Sequence, residues 1–154
     1  MKRTALVLSF LLVFGPGAFA AEKSADPNAA IRKSLSDPLA TLRDVERVQR
    51  TNNELSVKHF TGVIQKEPKN ATAHARRGKA YSGLKDYDKA MADYDKAIQL
   101  DPKLAEAYVG RAVVHYVKKD YDASWKDVHQ AESLGGEFWP SFTEALKAAS
   151  KQDN

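Results

Sequence analysis

The chain has 154 residues, with 24 Lys and Arg, 20 Asp and Glu, four His and no Cys. This length suits one ordinary domain, and 43% hydrophobic with 29% charged residues is typical of a globular protein, not of a disordered chain or a polytopic membrane protein. The absence of Cys excludes disulfides, thiolate metal sites, cysteine nucleophiles and a lipid-modified cysteine.

The first twenty residues have the three parts of a secretory signal peptide. A cationic start, Lys2-Arg3, precedes an apolar run of about ten residues, and small residues follow up to Ala20. The run is too short to span a bilayer stably, and a Gly-Pro-Gly step argues against the alternative, an uncleaved anchor. We expect cleavage after Ala20, export to the periplasm or beyond, and a mobile N-terminal tail at 21–36. Cleavage lowers the net charge from +4 to about +2, which makes nucleic acid a poor candidate partner.

A repeat of 34 residues organises the rest of the chain. Residues 71–104 and 105–138 align without a gap, and Lys85-Asp86-Tyr87-Asp88 recurs as Lys119-Asp120-Tyr121-Asp122. A more diverged copy fits at 37–70 in the same phase. A period of this length predicts stacked helical hairpins, since one hairpin cannot bury its own apolar face.

Each copy is expected to contain two helices. In the copy at 71–104 we place them at Ala73–Gly83 and Asp88–Leu100, with Asp101-Pro102 ending the second because a residue before Pro avoids helical geometry. In the diverged copy, a first helix along Leu42, Val45 and Val48 is expected to end in a turn at Thr51-Asn52-Asn53.

The end of the chain is predicted to form a solvating cap. Leu134-Gly135-Gly136 is a helix stop, and Pro140-Ser141 starts a last helix within 139–154. We expect Phe138 and Trp139 to seal this helix onto the preceding hairpin.

The copy at 71–104 resembles the tetratricopeptide repeat (TPR), with His74 in place of the usual Trp and Arg77 in place of a Leu-like residue. The Arg-Gly pair at that point is similar to a bacterial variant of the repeat. The resemblance implies an all-α, right-handed α-solenoid of about three hairpins, at 37–70, 71–104 and 105–138, followed by the capping helix. The residues expected to pack these helices together are Gly78, Tyr81, Ala90, Tyr94, Ala97, Pro102, Tyr108, Ala112, Val128 and Ala131.

The same resemblance implies a concave groove, lined by the first helix of each hairpin, that binds a peptide or helix of a partner protein. The positions concerned are Thr72, Ala75, Arg76, Lys79, Ser82, Glu106, Val109, Val113, Tyr116 and Val117. The residues of the second copy are small or polar, whereas those of the third include more apolar side chains than packing requires. That apolar surface either docks a partner or is covered by the C-terminal helix or the tail.

Some members of the family clamp a terminal carboxylate with Lys, Asn and Arg, but this chain lacks the Asn residues. Lys79 with Arg76 could still pair an acidic peptide group. For Arg77 and Arg111, the alternative is a structural role between helices and at helix ends.

The sequence contains no recognisable catalytic constellation, cofactor motif or metal site. The four His are scattered, with His74 and His115 at aromatic packing positions, and acids such as Asp93 and Asp127 are expected on the polar side of the second helices. The favoured function is therefore a non-enzymatic scaffold of the bacterial envelope. The alternatives are a self-assembly module that pairs through the third copy, a small accessory subunit of an envelope complex and, least favoured, an enzyme.

Overall fold

A computed structural model describes residues 38–152. The expected signal peptide at 1–20 and tail at 21–36 lie outside these residues. The chain divides into two compact units, residues 1–44 and 45–154, and the described part of the first is only the beginning of a long helix.

Every regular element within residues 38–152 is an α-helix. The six helices are α1 (Pro38–Lys66), α2 (Ala71–Gly83), α3 (Tyr87–Leu100), α4 (Ala105–Val117), α5 (Tyr121–Ser133) and α6 (Pro140–Gln152). The helix pairs α2/α3 and α4/α5 are hairpins, and α3 also packs against α4, α2 against α4 and α5 against α6. The predicted all-α class is thus confirmed, as are the hairpins of the second and third copies.

The two hairpin turns share one backbone conformation. Lys85 and Lys119 both adopt the left-handed region, each with a φ of 63°. The next amide donates back into the first helix, from Asp86 to the carbonyl of Tyr81 at 3.0 Å, as in a Schellman motif. The Asp86 side chain then caps α3, and Asp120 caps α5 in the same way.

The expected turn at Thr51-Asn52-Asn53 is wrong, because α1 runs through it without a break. Thr51 aligns with the left-handed Lys85, and a β-branched residue rarely adopts that conformation. Its hydroxyl instead donates to the carbonyl of Arg47 at 3.0 Å, within the helix. The expected apolar side of this segment lies open, with Val45 and Val48 49% and 55% exposed.

The core of the second unit is built around Tyr94, which is 2% exposed. Its ring fills a notch between α2 and α4, where a Cβ added to Gly78 or Gly110 would collide with it. Val114 and the alanines at positions 75, 90, 97 and 107 complete this cluster. Close approach of the helix backbones therefore depends on small residues surrounding one large ring.

A second core cluster joins the last hairpin to α6 through Ala112, Val128 and Leu146. Of the ten predicted packing residues, nine are buried or half-buried and Pro102 is exposed. Pro102 contributes through its backbone, since its carbonyl accepts a 3.2 Å hydrogen bond from the hydroxyl of Tyr108.

Two Arg–Asp pairs lock the hairpins internally. Arg77 donates two hydrogen bonds to Asp93, at 2.7 and 2.8 Å, and Arg111 donates two to Asp127 at the same distances. The expectation that these acids lie on a polar side is wrong, because Asp93 and Asp127 are only 5% and 3% exposed. The hydrogen bonds to the two carboxylates raise the pKa of both guanidinium groups above their ordinary value, against the opposing effect of burial.

Each of these arginines also reaches the preceding copy. The third guanidinium nitrogen of Arg77, Nη1, donates to the hydroxyl of Thr61 at 3.3 Å. Nη1 of Arg111 donates to the carboxylate of Asp95 at 2.6 Å. One Arg side chain per copy therefore ties the two helices of a hairpin to each other and to the helix before it. This is the structural role between helices that the sequence analysis gave as the alternative for Arg77 and Arg111.

Within residues 38–152, no helix combines the length and the apolar character that crossing a bilayer requires.

Candidate functional site

The first helices of the two hairpins, α2 and α4, form the walls of a groove. Six of the ten predicted groove residues line a single cavity of about 200 Å³ there: Ala75, Lys79, Ser82, Glu106, Val109 and Val113. In each helix their spacing of three or four residues puts them on one face. Tyr94 and Gly110 also line this cavity, so the notch that joins the helices is open to it.

A second cavity of about 390 Å³ extends the groove toward α1. It is lined by Asn53, Ser56 and Phe60 of α1, together with Arg76 and Ala80 of α2. Lys79 and Glu106 line both cavities, which therefore adjoin. The groove thus runs from α1 past α2 to α4, within residues 45–154.

The cations of the groove are available for a ligand. Arg76 and Lys79 are exposed, and neither forms an ion pair with another described residue. Arg77, next to them in sequence, is instead held by Asp93. The fold therefore separates a structural cation from two unpaired ones, and Glu106 is the acid on the facing wall.

Two hydroxyls lie at the floor of the groove. Burial raises the pKa of Tyr94 to about 12, so this group is a neutral phenol at physiological pH. The Ser82 hydroxyl is close enough to oppose that shift, yet its oxygen is buried without a hydrogen bond of standard geometry to any described residue.

Trp139 also lines the groove, and the sequence analysis missed it. Its indole is 68% exposed and borders the cavity of α2 and α4, so the expectation that it seals the cap is wrong. Phe138 performs that role, with its ring stacked on Phe142 at a centroid distance of 5.3 Å. The two adjacent aromatics before α6 thus point to opposite sides, with Phe138 packed on α6 and Trp139 at the groove.

The remaining predicted groove residues do not join the first cavity. Tyr116 packs against Phe142 of α6 at a centroid distance of 5.5 Å, so part of the apolar surface of the third copy is covered by the C-terminal helix. Val109 and Val113 remain open to the groove. Thr72 and Val117 line neither cavity.

The histidines of the hairpins have structural partners. His74 is buried, with its ring nitrogens 3.3 Å from Asp93 and from the carbonyl of Pro68. His115 lies 3.7 and 3.8 Å from Asp120 and Asp127. Among residues 38–152, no three side chains of metal-ligand type are grouped as a metal site requires.

Comparison with known proteins adds a match for one repeat and a fold. Residues 71–104 match the family model of the tetratricopeptide repeat. YrrB, described as a TPR protein with an unusual peptide-binding site, is 31% identical over 51% of this chain and 40% of its own, with a TM-score of 0.50. No curated protein matches the chain.

Two further solved structures share the arrangement of helices. The TPR2B domain of yeast Sti1, in complex with pHsp70, is 24% identical over 72% of this chain and 97% of its own, with a TM-score of 0.57. The first TPR of Spaghetti (RPAP3), bound to the HSP90 peptide SRMEEVD, is 20% identical over 70% and 91%, with a TM-score of 0.56. The chain therefore carries a tetratricopeptide repeat at 71–104, and its helices are arranged as in TPR domains.

Proposed function

We propose that this chain is a non-enzymatic interaction module of the bacterial envelope that binds an extended segment of a partner protein in the groove between α2 and α4. The observation that carries the proposal is the groove itself. It combines unpaired cations, the hydroxyls of Ser82 and Tyr94 and open apolar side chains on one concave face.

The lining of the groove suits a peptide backbone. Ala75 and Gly110 are small and leave room for a main chain. Lys79 and Arg76 would pair an acidic group of the segment. The similarity to YrrB, which has a peptide-binding site, and to two TPR domains solved with bound partners supports this use of the groove.

The envelope location rests on residues 1–20, whose pattern is that of a cleavable signal peptide. A chain exported in this way and lacking Cys has no cysteine to carry a lipid, so the product is periplasmic or secreted.

The geometry disfavours the alternatives. Self-assembly through the third copy would have less apolar surface to use, because Tyr116 already packs against Phe142. Nucleophilic catalysis would need a hydroxyl bonded to a base, whereas Ser82 has no such partner among the described residues.

Site-specific crosslinking in the native envelope tests the groove. A photoreactive benzoylphenylalanine replaces Val113, which lines the cavity, and in a matched control it replaces the exposed Lys96 of α3. We expect an adduct with another protein from position 113 and none from position 96. Lys79→Glu should lower the yield at position 113 by about tenfold, because it reverses a charge that faces the ligand.

Two outcomes would contradict the proposal. Equal adducts from both positions would show that the groove has no special role. An adduct made of two copies of the chain would instead favour the self-assembly module, and light scattering across a dilution series would then show a mass that rises with concentration.

A further inference from the structure

The two ends of the groove differ in chemistry. At the end near α1 lie the unpaired cations Arg76 and Lys79. At the other end Val109, Val113 and Trp139 offer apolar surface around the cavity between α2 and α4. A ligand that satisfies both ends must therefore carry two different groups.

The position of Trp139 is determined by its backbone. Its carbonyl accepts a 2.8 Å hydrogen bond from the amide of Phe142 at the start of α6, and the preceding Phe138 is held in the core cluster. The indole is thereby kept at the border of the cavity while 68% of it remains exposed. An exposed indole beside open valines is a surface that gains by burial against a partner.

No described part of the chain itself fills this end. The large apolar side chains of α6 are used elsewhere, since Leu146 is fully buried and Phe142 packs on Phe138 and Tyr116. Residues 38–152 therefore leave this end open, and the unpaired cations at the opposite end favour a partner segment that carries a carboxylate.

Resting on the function proposed above, we infer that Trp139 determines the specificity of the groove. It holds an aliphatic or aromatic side chain of the partner segment against Val109 and Val113 while a carboxylate of the same segment pairs with Lys79 or Arg76. Neighbouring helices lie about 8–10 Å apart and an extended chain rises about 3.3 Å per residue, so the two ligand groups are separated by roughly two or three residues.

Tryptophan fluorescence tests this arrangement directly, because the chain has only two Trp. In a Trp125→Phe background, which leaves the groove intact, all indole emission comes from Trp139. The probes are capped synthetic peptides of Gly and Ser that carry an Asp and a Phe two residues apart, the Asp alone, the Phe alone, or a Lys in place of the Asp. We expect a saturable blue shift with the first peptide and at least tenfold weaker binding of the other three.

A fluorescein-labelled Asp–Phe peptide then measures affinity by anisotropy with both Trp residues present. Trp139→Ala should weaken binding at least tenfold, as truncation of a central aromatic anchor does, while Trp125→Phe should leave it unchanged. Circular dichroism would confirm that both variants remain helical.

The outcomes separate this inference from the proposed function. If Trp139→Ala binds the peptide as well as the parent does, or the peptide with Asp alone binds equally well, the inference is wrong and the groove keeps its role. If no peptide binds although position 113 still crosslinks a partner protein, the inference is also wrong. A blue shift that depends on protein concentration alone would show that a second copy occupies the groove. If crosslinking fails as well, the proposed function fails.

Discussion

The helix α1 and the hairpin α2/α3 occupy the same phase of one repeat but have different structures. Where α2/α3 turns back at the left-handed Lys85, α1 continues through Thr51. Where Asp93 locks its hairpin through Arg77, the aligned residue of α1 is the exposed His59. Helical periodicity alone therefore does not produce a hairpin. The hairpin also needs a residue that can adopt the left-handed turn conformation and an ion pair that joins its two helices.

A third difference concerns space between the helices. A Cβ on Gly78 would lie 3.1 Å from the ring of Tyr94 and 3.2 Å from the carbonyl of Ala90, so this position accepts only a small residue. Asp44 stands at the aligned position of the first copy. Its carboxylate does not fit such a gap, so the sequence before Thr51 is poorly suited to close packing as a first helix.

The largest effect is expected from removing the ion pair between Arg77 and Asp93 in the second copy. Asp93→Ala leaves the largely buried Arg77 without its carboxylate and should lower the free energy of unfolding by about 2–3 kcal/mol. Urea titration followed by circular dichroism measures this loss. His59→Ala, the matched change in α1, should cost less than about 0.5 kcal/mol because that side chain is exposed. Equal losses at the two positions would show that α1 is locked like the hairpins.

An effect of similar size, confined to alkaline pH, follows from the buried phenol of Tyr94. Unfolded Tyr loses its proton near pH 10, whereas the folded pKa is raised to about 12, so the folded state retains the proton between these values. The stabilisation is fully present below pH 10 and is lost as pH rises toward 12, by about 2–3 kcal/mol.

This pH dependence is measured by urea titration at a series of alkaline pH values. Phe60 holds the aligned position in α1 and has no proton to lose. Tyr94→Phe should therefore have a flatter stability curve between pH 10 and 12 than the parent chain. Identical curves would contradict the assignment.

The smallest effect is expected at the turn position, and its sign differs between the copies. Lys85→Gly and Lys119→Gly should each stabilise the protein by about 0.5–1 kcal/mol, because glycine adopts a positive φ without steric cost. Thr51→Gly should instead destabilise it by about 0.5 kcal/mol, since glycine weakens the interior of a helix. Thermal melts of the three variants check the signs, and a stabilising Thr51→Gly would indicate a turn at that position.

The repeat, the helical class and six of the residues that line the cavity between α2 and α4 follow from the sequence alone. The 34-residue period fixed the phase in which Gly78, Tyr94 and Ala97 pack, because a hairpin can bury its apolar face only by stacking on a neighbour. The same phase placed Lys79 and Val113 on facing helices. The family match at 71–104 covers the copy in which these signals are strongest.

Which polar and aromatic residues are buried and which are open depends on how the helices pack. Arg77 and Arg76 are adjacent cations in sequence, but Asp93, sixteen residues beyond Arg77, pairs the first and leaves the second free for a ligand. Phe138 and Trp139 are adjacent aromatics, but Phe138 stacks on Phe142 whereas Trp139 borders the cavity. The periodicity of a sequence predicts which face of a helix a residue lies on. It does not predict which distant residue that side chain contacts, because such contacts form only when the helices pack.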